Sequence, residues 1–374
     1  PLFAVVALLF ADVVIAQEPK SKEPKELTEA ERKTLLEEAK KWSAETSKLR
    51  KEGKLEEAIQ AAEKRLAAAV RLYGEMHDDP VDSLGQIAEC REQLAQFPEA
   101  KRVLERILAL QTQRFGRDDY RVTDAGWAIE KLERSQKLTP EERQRPANAR
   151  QLYQQGLSLH LSKPKEALPL WLEALEIRGN VLGEDHRDYA TSLINLAFLY
   201  RDLGQPAEAE SFHLRALEIR KKVLGETHPD YLNGLNNLAE WYRGMGQPAK
   251  AEPLYLQSRE IFKKVVGESH TSVATTVHNL AALYLGMGQA AKAEPLFLQA
   301  GEMYEKVLGK NHPLYANNLN SLAECYRDLA QPARAEPLYL QAIEIRERVL
   351  GENHPQYANS LNNLGVFYND LGQP

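Results

Sequence analysis

The stretch G-E-T-H-P-D-Y-L-N-G-L-N-N-L-A-E-W-Y, from Gly225 to Tyr242, is followed by G-Q-P-A-K-A-E-P-L-Y-L-Q, from Gly246 to Gln257, and the same sentence recurs along the chain. Its histidine falls at His186, His228, His270, His312 and His354, 42 residues apart each time. A fixed period of this size marks a stacked-repeat architecture, in which each unit buries its apolar face against its neighbours. A single core seldom grows beyond roughly 250–300 residues. A stack of repeats carries no such limit, so the 374 residues need no division into separate globular cores.

Each unit resolves into two helices. Tyr189, Leu193, Leu196, Ala197, Tyr200 and Leu203 fall on one stripe at a spacing of about 3.6 residues, which predicts an amphipathic helix A. Pro229, Pro313 and Pro355 follow their histidines where a helix accepts proline, in its first turn. Gly204, Gly246, Gly288 and Gly372 end helix A, because glycine tolerates the left-handed conformation that closes a helix. Pro206, Pro248 and Pro332 then restart the chain as helix B. Its stripe reads Ala209, Phe212, His213, Ala216, Ile219 and Val223, and again Ala251, Leu254, Tyr255, Ser258, Ile261 and Val265. Small residues at Ala197/Ala209, Ala239/Ala251, Ala281/Ala293 and Ala323/Ala335 let the two helices approach closely.

This pattern resembles the tetratricopeptide repeat, in the longer 42-residue form found in kinesin light chains. The match is carried by L-x-x-L-A-x-x-Y (Leu235, Leu238, Ala239, Tyr242), by Gly246 and Ala251, and by the aromatic Tyr255 and the small Ser258. The extra length is a longer helix B ending in V-L-G-E-x-H-P, as from Val223 to Pro229. Four full copies begin at His186, His228, His270 and His312, and a fifth runs to Pro374. The resemblance implies an all-α fold, a right-handed superhelical solenoid of stacked antiparallel helix pairs.

Upstream the phase persists while the letters decay. Residues 145–185 keep helix B, with Ala167, Trp171, Ala174, Ile177 and Gly183 in register. Residues 77–116 fit through Leu84, Ala88, Ala95 in glycine's place, Ala100, Leu104 and Ile107. Residues 32–73 supply one more pair, turning at Gly53 with Ala58 opening helix B. From Gly116 to Gly183 is 67 residues, one period plus 25, so an irregular insertion is expected near 117–144, around Leu138-Thr139-Pro140. A helix at 120–137 then lacks a standard partner. The expected organisation is degenerate helical repeats over 29–144 and a regular array over 145–374 whose last repeat is truncated, leaving Leu361, Leu364 and Tyr368 partly bare.

The first sixteen residues are of another kind. Leu2 to Ala11 is nearly all apolar, Asp12 interrupts, and Val13 to Ala16 precede Gln17. This is short of the about 20 apolar residues that span a bilayer, and Val14-Ile15-Ala16 fits the small-x-small pattern of an export cleavage site. Residues 1–16 read as a signal peptide, with an uncleaved membrane anchor as the other reading, and 17–28 as a polar linker. The chain is then exported, periplasmic or secreted, or else membrane-anchored. Cys90 and Cys325 lie in distant repeats on apolar helix positions and read as small buried hydrophobes. The net charge of −6, with both signs mixed in every repeat, supports no nucleic-acid surface.

Signatures of catalysis are missing: there is no C-x-x-C, H-E-x-x-H, G-x-S-x-G or P-loop, and no cofactor, metal or small-molecule substrate is expected. Zinc ligands must converge to within about 2.0–2.3 Å of one ion, whereas the periodic histidines sit one repeat apart and read as helix starts. His278 differs, standing within helix A where other copies have Ile194, Asn236, Asn320 and Asn362. It flanks a ligand or is simply exposed.

Opposite the core stripe, at about 100° per residue, helix A carries Thr191, Asn195 and Phe198, then Asn233, Asn237 and Glu240. The same face continues as Thr275, Asn279 and Ala282, as Asn317, Ser321 and Glu324, and as Asn359, Asn363 and Val366. Stacking turns these into ladders. The resemblance implies that this face lines a concave groove where peptides bind. An asparagine amide offers donors and an acceptor to an extended backbone, the variable third position supplies selectivity, and Arg201, Arg243 and Arg327 edge the groove within reach of acidic side chains. The other reading is that the asparagines simply hold the stack together. The expected function is a non-catalytic scaffold for protein–protein interaction, with a protein or peptide as partner. A second reading is the sensor portion of a larger protein with a protease-like or signalling domain downstream. A third is a cargo adaptor.

Overall fold

The computed structural model describes residues 27–160 and 162–373. The expected signal peptide, 1–16, and residues 17–26 of the linker lie outside them. The described residues form sixteen α-helices and no strand. By contact the chain divides into two units, Pro1–Lys137 and Leu138–Pro374.

The first unit holds α1 (Glu29–Lys51), α2 (Leu55–Tyr73), α3 (Asp78–Gln93), α4 (Phe97–Phe115) and α5 (Tyr120–Lys137), each packed on the helix before it. The second begins with α6 (Pro140–Leu159) and α7 (Pro164–Leu182). Four A/B pairs follow: α8 (Arg187–Asp202) with α9 (Pro206–Leu224), α10 (Pro229–Gly244) with α11 (Pro248–Val266), α12 (Thr271–Gly286) with α13 (Ala290–Leu308), and α14 (Pro313–Asp328) with α15 (Pro332–Leu350). A last A helix is α16 (Pro355–Asp370). Within the second unit α10, α12, α14 and α16 also approach one another directly, each across the B helix between them. The A helices therefore form the inner wall of the stack.

The periodic histidines start helices. His186, His228, His270, His312 and His354 are N-caps, and each imidazole Nδ1 accepts the backbone N–H two residues on, at 3.1, 3.0, 3.1, 3.1 and 3.2 Å. His77 does the same for Asp79 at 3.3 Å. A side-chain acceptor at this position satisfies a donor that the helix cannot. Helix A closes on a left-handed residue, which is glycine in most repeats but alanine at Ala95 (φ 57°) and Ala330 (φ 55°).

The alanine pairs named above are fully buried: Ala197, Ala209, Ala239, Ala251, Ala281, Ala293, Ala323 and Ala335 all show 0% exposure. Tyr255 shares a cluster with Ala209, Ala239 and Ala251, and Phe297 and Tyr339 share one with Ala281, Ala293, Ala323 and Ala335, large side chains whose burial contributes about 1.5–3 kcal/mol each. Both cysteines are buried and free, and burial pushes the Cys325 thiol up to about 11. At α16 the same apolar position opens: Leu361 is 45% exposed, against 0% for Leu193, while Leu364 and Tyr368 are half-buried.

Around Leu138 the helix α5 ends and α6 begins. Thr139 caps α6 in a reciprocal capping box with Glu142, and Pro140 stands in its first turn. That T-P-E-E string is a helix-start signal, and it identifies α6 as the partner of α7. The α6–α7 contact rests on Gly156, where an added Cβ would come within 2.3 Å of the Trp171 indole, whose Nε1 donates to the Tyr153 carbonyl at 3.0 Å.

Candidate interaction groove

The inner wall of the second unit carries the residues singled out from the sequence, and the structure sorts them into three sets. The first-rung residues are partly engaged from beneath. Thr191 accepts from Arg220 at 3.2 Å, Thr275 from the Tyr304 hydroxyl at 3.0 Å, and Asn317 from Arg346 at 2.6 Å. In each case a buried residue of helix B reaches the A helix of its own repeat; Arg220, Tyr304 and Arg346 are 7%, 2% and 6% exposed. The two arginines also reach the next repeat, Arg220 to the Asp230 carbonyl at 2.8 Å and Arg346 to the Gln356 carbonyl at 3.0 Å and to Ser360 Oγ. Asn233 and Asn359, at the same rung, are exposed and make no side-chain hydrogen bond among the described residues.

The second rung is different. Asn195, Asn237, Asn279 and Ser321 are half-buried, and among the described residues their side chains have no hydrogen-bond partner. Asn363 alone is engaged, donating to Glu324 Oε1 at 2.9 Å. The adjacent column does the work of tying A helix to A helix. Asn236 donates to Thr276 at 2.8 Å, and His278 Nδ1 lies 3.0 Å from Asn318 Oδ1. Asn320 donates to Glu324 Oε1 at 2.9 Å.

The third rung faces the aromatic column of helix B. Phe198 meets His213 edge-on with ring centres 5.4 Å apart. Glu240 accepts the Tyr255 hydroxyl at 2.9 Å, and Ala282 packs into the cluster that holds Phe297. Glu324 stands by Tyr339, whose buried hydroxyl has no hydrogen-bond partner among the described residues. Each edge arginine is already paired within the chain: Arg201 with Asp202 at 2.8 Å, Arg243 Nε with Glu240 at 2.9 Å, and Arg327 with Asp328 at 3.2 Å.

A cavity of about 600 Å³ gathers Glu240, Arg243, His278, Asn279, Ser321, Glu324 and Arg327 from α10, α12 and α14. Thr191, Asn195, Phe198 and Arg201 lie farther along the wall on α8, and Asn359 and Asn363 on α16. Burial raises the Glu324 carboxyl above the usual range. Burial works on Glu240 in the same sense, but its hydrogen bonds and the charge of Arg243 outweigh it and hold that carboxyl low. Burial also pulls the His278 pKa below its ordinary value.

Sequence reasoning missed the buried arginines. Their signal was a second column at the same period, Arg178, Arg220, Phe262, Tyr304 and Arg346, opposite Ser192, Gly234, Thr276, Asn318 and Ser360. Large or cationic residues of helix B face small or hydroxyl residues of the next helix A.

These features define an all-helical repeat solenoid with a polar inner wall. The sequence profile described as "Tetratricopeptide repeat" matches residues 152–222, 191–264, 272–348 and 331–374, more than half of the chain, which therefore belongs to the tetratricopeptide repeat family. Solved structures similar to it include a Podospora anserina protein described as a kinesin light chain of nearly identical TPR-like repeats, at 27% identity and a TM-score of 0.46, covering 55% of this chain and 97% of that one. BtubC from P. vanneervenii is 22% identical with a TM-score of 0.44, covering 70% of this chain and 93% of its own. A Rap protein complexed with Competence and Sporulation Factor is 16% identical with a TM-score of 0.46, covering 90% and 87%. No curated protein matches the chain.

Proposed function

We propose that the second unit is a non-catalytic scaffold that holds an extended segment of a protein partner along the inner wall of its A helices. One observation carries this reading. Asn195, Asn237 and Asn279 recur at one-repeat spacing, half-buried and without a hydrogen-bond partner, while Asn236, Asn318 and Asn320 beside them are engaged within the stack. Amides spared from internal bonding can bond the backbone of a guest strand. The direct approach of α10, α12, α14 and α16, which carry Asn237 and Asn279 on α10 and α12, supports a common space along the wall.

The test is the double substitution Asn237→Ala and Asn279→Ala in the whole chain. Capture of partners from extract, identified by mass spectrometry, should fall at least tenfold for every bound species while the melting temperature stays within about 2 °C. A large melting loss would instead mean that the ladder holds the stack. The apolar run Leu2–Ala16 supports export as the setting of this activity. Among the described residues no helix is long and apolar enough to cross a membrane. Fractionation of cells carrying the full chain, with N-terminal sequencing of the product, separates cleavage after Ala16 from retention of the segment.

A further inference from the structure

In the cavity between α10, α12 and α14 one carboxylate is in no ion pair among the described residues, although the charges of Arg327 and Arg346 act on it from a distance. Arg243 is bonded to Glu240, and Arg327 to Asp328, with Asp370 also 3.9 Å away. Glu324 is left over. Its Oε1 takes two amide donors, Asn320 from its own helix and Asn363 from α16, both at 2.9 Å, and among the described residues its Oε2 has no hydrogen-bond partner. Neutral amide donors orient a carboxylate without cancelling its charge.

The histidine in the same wall is set up as an acceptor. Asn318 donates its amide N–H to the Phe297 carbonyl at 2.9 Å, which fixes the orientation of that amide and turns Oδ1 toward His278. An oxygen there can only accept, so His278 carries its proton on Nδ1 and leaves Nε2 as a lone pair. His278, Asn279, Ser321 and Glu324 all line the cavity, and Asn279 and Ser321 are unengaged. The free groups thus comprise a carboxylate oxygen, an imidazole lone pair, a hydroxyl and an amide. Burial raises the Glu324 carboxyl, and the charges of Arg327 and Arg346 only partly offset it.

We infer that this cavity is a selectivity pocket for a basic side chain, a lysine ammonium or arginine guanidinium, borne by the extended segment that the groove holds. This rests on the scaffold reading above and reverses the charge preference that the edge arginines suggest from sequence. The guest cation bonds Glu324 Oε2 and His278 Nε2, with Ser321 and Asn279 completing its shell. The equivalent cavity positions in the preceding repeat are filled otherwise. Glu240, the counterpart of Glu324, already takes Arg243 and the Tyr255 hydroxyl, so the free carboxylate belongs to α14 alone among these repeats.

The test uses the full chain and three fluorescent ten-residue peptide libraries, random except for a central Lys, Glu or Leu, read by anisotropy. The expected result is that the Lys library binds about tenfold more tightly than the other two, and that Glu324→Gln abolishes this preference without lowering the binding of the Leu library. Glu324→Ala is the second variant. Alanine occupies the same position at Ala282, so the helix accepts it. Equal binding of all three libraries, or a Lys preference that survives both variants, overturns the pocket and leaves the groove standing. If no library binds, the groove reading fails and the pocket is decided separately with N-acetyl-lysine methylamide. Saturable movement of the His278 imidazole resonances in the parent chain, lost in Glu324→Gln, supports the pocket; their immobility overturns it.

Discussion

His213 shows how one residue makes this stack sensitive to acid. It occupies the column otherwise held by Tyr255, Phe297 and Tyr339, is 2% exposed, and packs against Phe198 and Trp241. Burial, aided by the nearby Arg201 charge, pulls its pKa down from 6.5 to about 4. The folded chain therefore keeps it neutral where the unfolded chain protonates it. The stability this contributes is fully present above pH 6.5 and is lost as pH falls toward 4, by about 3 kcal/mol in all. His213→Phe should flatten that part of the pH–stability curve, measured by denaturant melts at pH 7 and pH 4.5. An unchanged acid slope would show that His213 is not its source. The column was legible as core from the sequence, since Phe212 and His213 fall on the helix B stripe. The titration was not, because it depends on how completely neighbours close over the ring.

At the scale of the helix, termini decide the geometry. The histidine caps and the glycine closures are both readable as punctuation, because each answers a local need of the backbone that no distant contact alters. Ala330 is the exception with a consequence. It holds φ at 55° at the end of α14, a conformation that costs a residue with a Cβ about 1–2 kcal/mol. Ala330→Gly should raise stability by up to about 1 kcal/mol, because relief of the left-handed strain outweighs the freedom glycine gains in the unfolded chain. Thermal melts of the two chains side by side check this, and a lower melting temperature for the glycine form would contradict it. The start of α6 is equally readable from T-P-E-E, although it lies within the 25-residue excess over the period. The period describes what recurs, and α6 does not recur.

At the scale of the second unit, stability is a chain of neighbour contacts. The buried arginines are the rivets. Arg220 joins α8, α9 and α10, and Arg346 joins α14, α15 and α16. Arg220→Ala strips the Asp230 carbonyl and Thr191 of a charged donor, at a cost of about 2–3 kcal/mol. The loss should be local. Hydrogen exchange is expected to quicken in α6–α9 while α12–α15 keep their protection. Uniform loss across the unit would mean that the repeats are coupled more strongly than neighbour by neighbour. Such residues escape a reading by hydrophobic stripe, because an arginine on helix B looks exposed until the next helix A is laid over it.

The letters alone determine the helix pair, its period, its caps and which face turns inward, because these follow from backbone geometry and from side-chain spacing within one repeat. They also place the asparagines in line. Packing between repeats settles what those polar residues do. It draws Thr191, Thr275 and Asn317 into the stack and leaves Asn195, Asn237 and Asn279 free. It likewise pairs Arg243 and Arg327 with neighbouring carboxylates, holds His278 against Asn318, and leaves Glu324 in no ion pair among the described residues. Those outcomes depend on distances of a few ångströms, several of them between residues 29 or 40 positions apart, where hydrogen bonding and charge pairing are decided and a one-dimensional pattern carries no distances.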